Sequence, residues 1–237
     1  MADSSGFDFF ANEYDSWFSD NQPLLESEVQ LLAHIWPTPR PSRVLSVGCG
    51  TGLFEAVLKR DFSIKVTNGI EPAEGMAAIA RSRGMEVVIG TAEEADFGEG
   101  EFDMLMFNGS TSYVKDLDQV CARAWSALRP GGQILLADVP RESGFGLLYC
   151  LAARLGSWDH PLLAGVAPQN PYPLPFVVSA HWHTTAERIQ ALESVGFVVE
   201  ATAQTLTTHP VKAGEYVEKP LDGHDSGGYV AILAQRR

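Results

Sequence analysis

Short apolar runs separated by amphipathic stretches set the rhythm of this chain. The first, Val44–Val47, follows the breaker Pro39-Arg40-Pro41 and shows no sustained alternation, as expected of a parallel strand covered on both faces. Similar runs occupy 64–70, 85–89, 102–107, 133–138 and 229–235, and another opens at Gly196-Phe197. Between them, helical spacing covers 24–36, 54–60, 72–83, 117–128 and 184–194, with Gly84 ending the third helix and Thr184 or Thr185 capping the last. Strand and helix in regular succession predict an α/β fold, doubly wound, around a mostly parallel seven-stranded sheet. The regularity breaks at 139–179, which is rich in Pro, Gly and aromatics. So long a connection is usually functional, and with the residues that follow it predicts a substrate cap inserted over 139–183.

Composition narrows the partners. The 237 residues suffice for a single domain, 1–237, with one large core. A net charge of −13, with no cluster of Lys or Arg, disfavours nucleic acid, whose binding rests on neutralising phosphates. Three cysteines, Cys49, Cys121 and Cys150, leave an odd thiol under any pairing and form no metal-ligand spacing, so reduced thiols, a cytoplasmic protein and no metal are expected. No run approaches a transmembrane length and the first residues carry no basic or apolar leader, so no membrane partner is expected. The oligomeric state is not legible.

Chemistry enters where the first strand ends. Gly48, Gly50 and Gly52 follow it at alternate positions and open a helix, giving a tight exit and close approach of a ligand to backbone at a helix N-terminus. A dinucleotide fingerprint needs glycine where this chain has Leu53, which disfavours a nicotinamide oxidoreductase. About twenty residues further on, the second strand ends in Glu71, where a doubly wound fold sets a carboxylate against ribose hydroxyls.

The segment VLSVGCGTG, read with Glu71, resembles motif I and its acidic partner in the class I S-adenosylmethionine-dependent methyltransferases. Arg129-Pro130-Gly131-Gly132 before an apolar strand is a further signature of that family. The resemblance implies a Rossmann-like sheet closed by a C-terminal antiparallel hairpin, with S-adenosyl-L-methionine as cofactor and S-adenosyl-L-homocysteine as product. It places the cofactor against Gly48, Cys49, Gly50 and Gly52, against Glu71, Pro72 and Met76 of a turn like D/E-P-S-x-x-M, and against Thr91, Ala92 and Glu93 beside the adenine. Asn108 and Gly109 would line the methionine end. Tyr14, with Trp17 and Phe18, belongs to an aromatic segment within an expected N-terminal lid, 1–36. Two positions depart from the pattern: Ser46, where an acid is frequent, and Thr91, at a usual aspartate position.

The acceptor is expected to be a small molecule. Candidates to contact it or take its proton are His181 and His183, which alternate at the end of the cap, and Tyr113, with Tyr149 and Tyr172 as weaker candidates. The departures at Ser46 and Thr91 also admit a non-catalytic protein that binds the cofactor or its product.

Overall fold

The computed structural model describes residues 11–237, apart from the side chain of Asn12; the aromatic residues at 7–10 of the expected lid lie outside them. Two helices lead in, α1 (Ala11–Asp20) and α2 (Gln22–Ile35). Next come β1 (Val44–Val47), α3 (Leu53–Phe62), β2 (Asn68–Glu71), α4 (Glu74–Ser82), β3 (Glu86–Ile89), β4 (Phe102–Asn108), α5 (Leu117–Ala127) and β5 (Leu128–Asp138). The cap carries α6 (Gly144–Leu155) and α7 (Leu174–Ser179); then come α8 (Thr185–Ser194), β6 (Phe197–Thr205), β7 (Leu221–Asp222) and β8 (Tyr229–Arg236).

The strands form one sheet in the order β3-β2-β1-β4-β5-β8-β6-β7. β1 to β5 pair in parallel, while β8 runs antiparallel between β5 and β6. All four residues of β1 are buried, as are six of the seven in β4, because helices cover both faces of these central strands. The chain moves outward from β1 in both directions, to β2 on one side and β4 on the other, and so leaves a crevice at their carboxyl ends.

The sheet departs from the expected seven strands by one short edge strand, β7, which pairs with β6 at Ala203 and Gln204. The second strand is shorter than its apolar run: Ile64 and Val66 are buried, but only Asn68–Glu71 finds a neighbour on β3. β5 starts earlier than expected, with the Arg129-Pro130-Gly131-Gly132 stretch carried as an irregularity in its pairing with β4. The cap also holds more regular structure than its composition predicts. In α6, Phe145, Tyr149 and Ala152 are buried at helical spacing, Ser143 caps the start by accepting from the Gly146 amide at 3.0 Å, and Gly156 closes the end at φ +69°. α8 opens with a full capping box between Thr184 and Glu187.

Candidate active site

At the carboxyl edge of β1 the glycines do different work. Gly48, at φ +71°, passes so close to Ser110 that an added Cβ would stand 2.5 Å from the Ser110 Cβ. Gly52 clears the Met85 sulfur and Ala80, so it lets α3 pack on α4 and does not line the cavity. Gly48 and Gly50 both line the cavity, and Gly50 leaves the more open space: at φ +55° its missing Cβ would meet only Met76, at 3.7 Å. Glu71 holds this turn, one carboxylate oxygen accepting from the Gly50 amide and the other from the Ala73 amide, both at 2.9 Å. Ser46 donates to Glu55 at 2.6 Å, so a buried carboxyl does stand beside the position where the sequence lacks an acid; burial pushes it above the usual carboxylate range, and it does not line the cavity.

A cavity of about 420 Å³ extends from this cradle to the cap. Pro72, Met76, Thr91, Ala92 and Glu93 line it beyond Glu71, and Asn108, Gly109 and Ser110 line it at the end of β4. Asn108 is held by the Tyr229 hydroxyl, which donates to its Oδ1 at 2.9 Å. Cys49, expected in the cofactor cradle, turns instead into a small apolar cluster with Ala80 and Met85.

Aromatic rings close the far end. Tyr14 packs edge-on against Phe18 and Phe176, Trp17 against Tyr172, and Tyr149 lies against Tyr172, Trp158 and Trp182. Two anchors keep α1 in place. Asp15 accepts from the Thr51 hydroxyl at 2.6 Å and from Arg83 at 2.5 Å beside the glycine turn, and the Trp17 indole donates to the Pro171 carbonyl of the cap at 3.0 Å.

Of the expected acceptor-side residues, His181, Tyr113, Tyr149 and Tyr172 line this cavity and His183 does not. His181 lines the cavity, its amide donating to the Ser112 carbonyl at 2.5 Å, whereas His183 turns toward the Val114 carbonyl and burial lowers its pKa. The stretch between α7 and α8 is irregular, so strand-like alternation does not hold there, and Trp182 lines the cavity beside His181. Tyr113 also lines it, donating to the Phe176 carbonyl at 3.3 Å, with its pKa raised by burial. A phenol so raised is a poor base at neutral pH.

The methyltransferase domain profile matches residues 17–202, which span both the glycine cradle and the cap. The chain belongs to the class I S-adenosylmethionine-dependent methyltransferase family. Within it, an uncharacterized protein of Methanocaldococcus jannaschii is 28% identical over 97% of this chain and 98% of its own length. A trans-aconitate 2-methyltransferase of Deinococcus radiodurans is 33% identical over 51% of this chain and 46% of its own. A malonyl-[acyl-carrier protein] O-methyltransferase of Methylococcus capsulatus is 29% identical over 51% and 45%. Among solved structures, a Thermotoga maritima protein, described as a SAM-dependent methyltransferase and possible histamine N-methyltransferase, superposes with a TM-score of 0.81 over 98% of this chain and 99% of that one, at 28% identity.

S-adenosylmethionine is the cofactor of this family, and the cradle fits it. Gly50 presents bare backbone to the cavity, and Glu71 presents carboxylate oxygens already oriented by amides. Two lining carboxylates of this chain were not singled out in the sequence. Asp138 ends β5, accepting from the Thr111 hydroxyl at 2.6 Å and the Ser112 amide at 2.9 Å, with Arg188 at 3.8 Å. Glu28 lies on α2 between buried leucines: Leu24 stands four residues before it and Leu31 three after, so the spacing that marks an apolar face also placed an acid on it. Among the described residues no cluster of His, Cys, Asp or Glu forms a metal site, and no helix is long and apolar enough to cross a membrane.

Proposed function

We propose that this protein transfers the methyl group of S-adenosylmethionine to a small molecule held between the cofactor cradle and the aromatic cap. The observation that carries this reading is the single cavity running from Glu71 and Thr91 to Tyr149 and Trp182, which gives donor and acceptor one shared compartment. The cofactor supplies an activated methyl group on a sulfonium sulfur. The protein's task is positioning: Glu71 and the Gly50 backbone fix one end, Asn108, held by Tyr229, borders the middle, and the rings of α1 and the cap exclude water. In this reading α1 and the cap are the lid over the site.

Thermal melting tests it. A ligand that binds only the folded state adds about 2.7 kcal/mol at a hundred times its dissociation constant. For a domain of this size each kcal/mol moves the midpoint by about 2 to 4 °C. Saturating S-adenosylhomocysteine should therefore raise Tm by roughly 5 to 10 °C, while NAD should leave it unchanged, Leu53 standing where its fingerprint needs glycine. A shift with NAD and none with the sulfur ligands would overturn the assignment. A screen of small-molecule extracts for a cofactor-dependent mass gain of one methyl then separates an enzyme from a protein that only binds.

A further inference from the structure

The acidic groups lining the cavity are not alike. Glu71 is engaged by two backbone amides, and Glu93 accepts from the Lys115 amide at 2.8 Å. Asp138 accepts from a hydroxyl and from the Ser112 and Val139 amides, with the buried Arg188 guanidinium behind it. Glu28 is different. It is 8% exposed, and among the described residues its carboxylate has no hydrogen bond and no cation beside it. It borders both the main cavity and a small pocket of about 20 Å³ under the cap, whose walls are Trp17, Tyr149 and Tyr172 together with Pro168 and Leu206. That second pocket shares no residue with the glycine cradle, so Glu28 stands at the acceptor end.

We infer that the methyl acceptor is an organic amine that enters as a cation, its nitrogen held by Glu28 within a box of tyrosine and tryptophan rings. The claim rests on the methyl-transfer reading above and adds the substrate class. An unpaired carboxylate in an apolar wall is costly unless a ligand completes it, and a cation does so while the electron-rich ring faces contribute further attraction. Among the described cavity-lining residues Lys115 is the sole Lys or Arg, against four acids, a balance that suits a cation and repels a carboxylate. Glu28 can also receive the amine's surplus proton: an N–H bond breaks, its electron pair stays on nitrogen, and the proton passes to a carboxylate oxygen, leaving a neutral amine able to accept a methyl group.

The protonation state of the free site agrees. Burial, with Asp138 adding to it, pushes Glu28 up to about 8, so at pH 7 it is mostly protonated. The other titratable groups facing it are Tyr14 from α1, Tyr149 from α6, Tyr172 from the cap and Tyr229 from β8, all with raised pKa and therefore neutral. A cation arriving beside Glu28 lowers its pKa, so binding near pH 7 should release close to one proton, and the release should vanish above pH 9, where Glu28 is already ionised.

The test is calorimetric titration of the protein saturated with S-adenosylhomocysteine, using 2-phenylethylamine and its neutral counterpart 2-phenylethanol, in buffers of different ionisation enthalpy. The amine should bind at least about tenfold more tightly than the alcohol and release a proton at pH 7; in Glu28→Gln both the preference and the release should disappear while the alcohol's affinity holds. Equal affinities in the wild type, or a preference that survives in Glu28→Gln, would overturn the inference. So would loss of the S-adenosylhomocysteine melting shift in Glu28→Gln, which would place Glu28 on the cofactor's amino group. Should that variant not fold, proton release in the wild type and its disappearance above pH 9 decide the matter alone. Absence of the melting shift in the wild type would instead count against the methyl-transfer reading.

Discussion

Replacing Glu71 by alanine is expected to weaken S-adenosylhomocysteine binding by about tenfold to a hundredfold, the equivalent of 1.5 to 3 kcal/mol for hydrogen bonds to a charged group. The loss has two sources. In the proposed reading Glu71, at the end of β2, would accept from a ribose diol, and it also orients the cradle by accepting from the Gly50 and Ala73 amides. Glu71→Gln separates them, since an amide side chain has one acceptor oxygen and cannot serve both backbone donors. Its affinity should fall between wild type and Glu71→Ala in a calorimetric titration. Wild-type affinity in Glu71→Ala would mean that the ribose is held elsewhere.

The largest effect on stability should come from Arg188→Met. Arg188 is 1% exposed, donates to the Val139 carbonyl at 3.0 Å and the Ser112 hydroxyl at 3.4 Å, and stands 3.8 Å from Asp138; burial lowers its pKa. Methionine fills most of the space but leaves Asp138 as a buried charge without its counterion. Removing one member of such a pair costs about 3 to 5 kcal/mol, or roughly 6 to 20 °C in Tm for a chain of this size. Adding Asp138→Asn should recover part of the loss, and that non-additivity is the sign of coupling between the two residues. A denaturant midpoint that barely moves in Arg188→Met would show that the pair contributes nothing net.

The cofactor end was largely legible in the sequence because its information is local. A strand, a glycine turn and an acid at the end of the next strand lie within 44–71, and each residue does its work where the chain emerges from the sheet. Gly52 shows the limit even there. Its position fits ligand approach equally well, and only the packing of Met85 and Ala80 against it identifies a helix contact. The acceptor end is built from distant segments: α1 supplies Tyr14, Trp17 and Phe18, α2 Glu28, the end of β5 Asp138, β8 Tyr229, and the cap several more. Glu28 reads in sequence as one polar residue in a core helix, and nothing near it in the chain announces the tyrosines at 149, 172 and 229 that surround it. Only His181 of the histidine pair lines the cavity, for a related reason. Alternation assumes a strand, and the segment at 181–183 belongs to none: its backbone bonds go to the Ser112 carbonyl and the Arg141 amide. In the cap, the prolines concealed α6 although Phe145, Tyr149 and Ala152 carried its period.

The anchoring of α1 has a consequence for traffic through the site. One face of that helix is fastened to the glycine turn through Asp15, Thr51 and Arg83, and its Trp17 is fastened to the cap at Pro171. Lifting the helix far enough to free either anchor strains the other, so in the lid reading proposed above both compartments would share one door. Under the proposed function, spent cofactor and methylated product would leave through the same opening event, and a single latch would set the residence time of each.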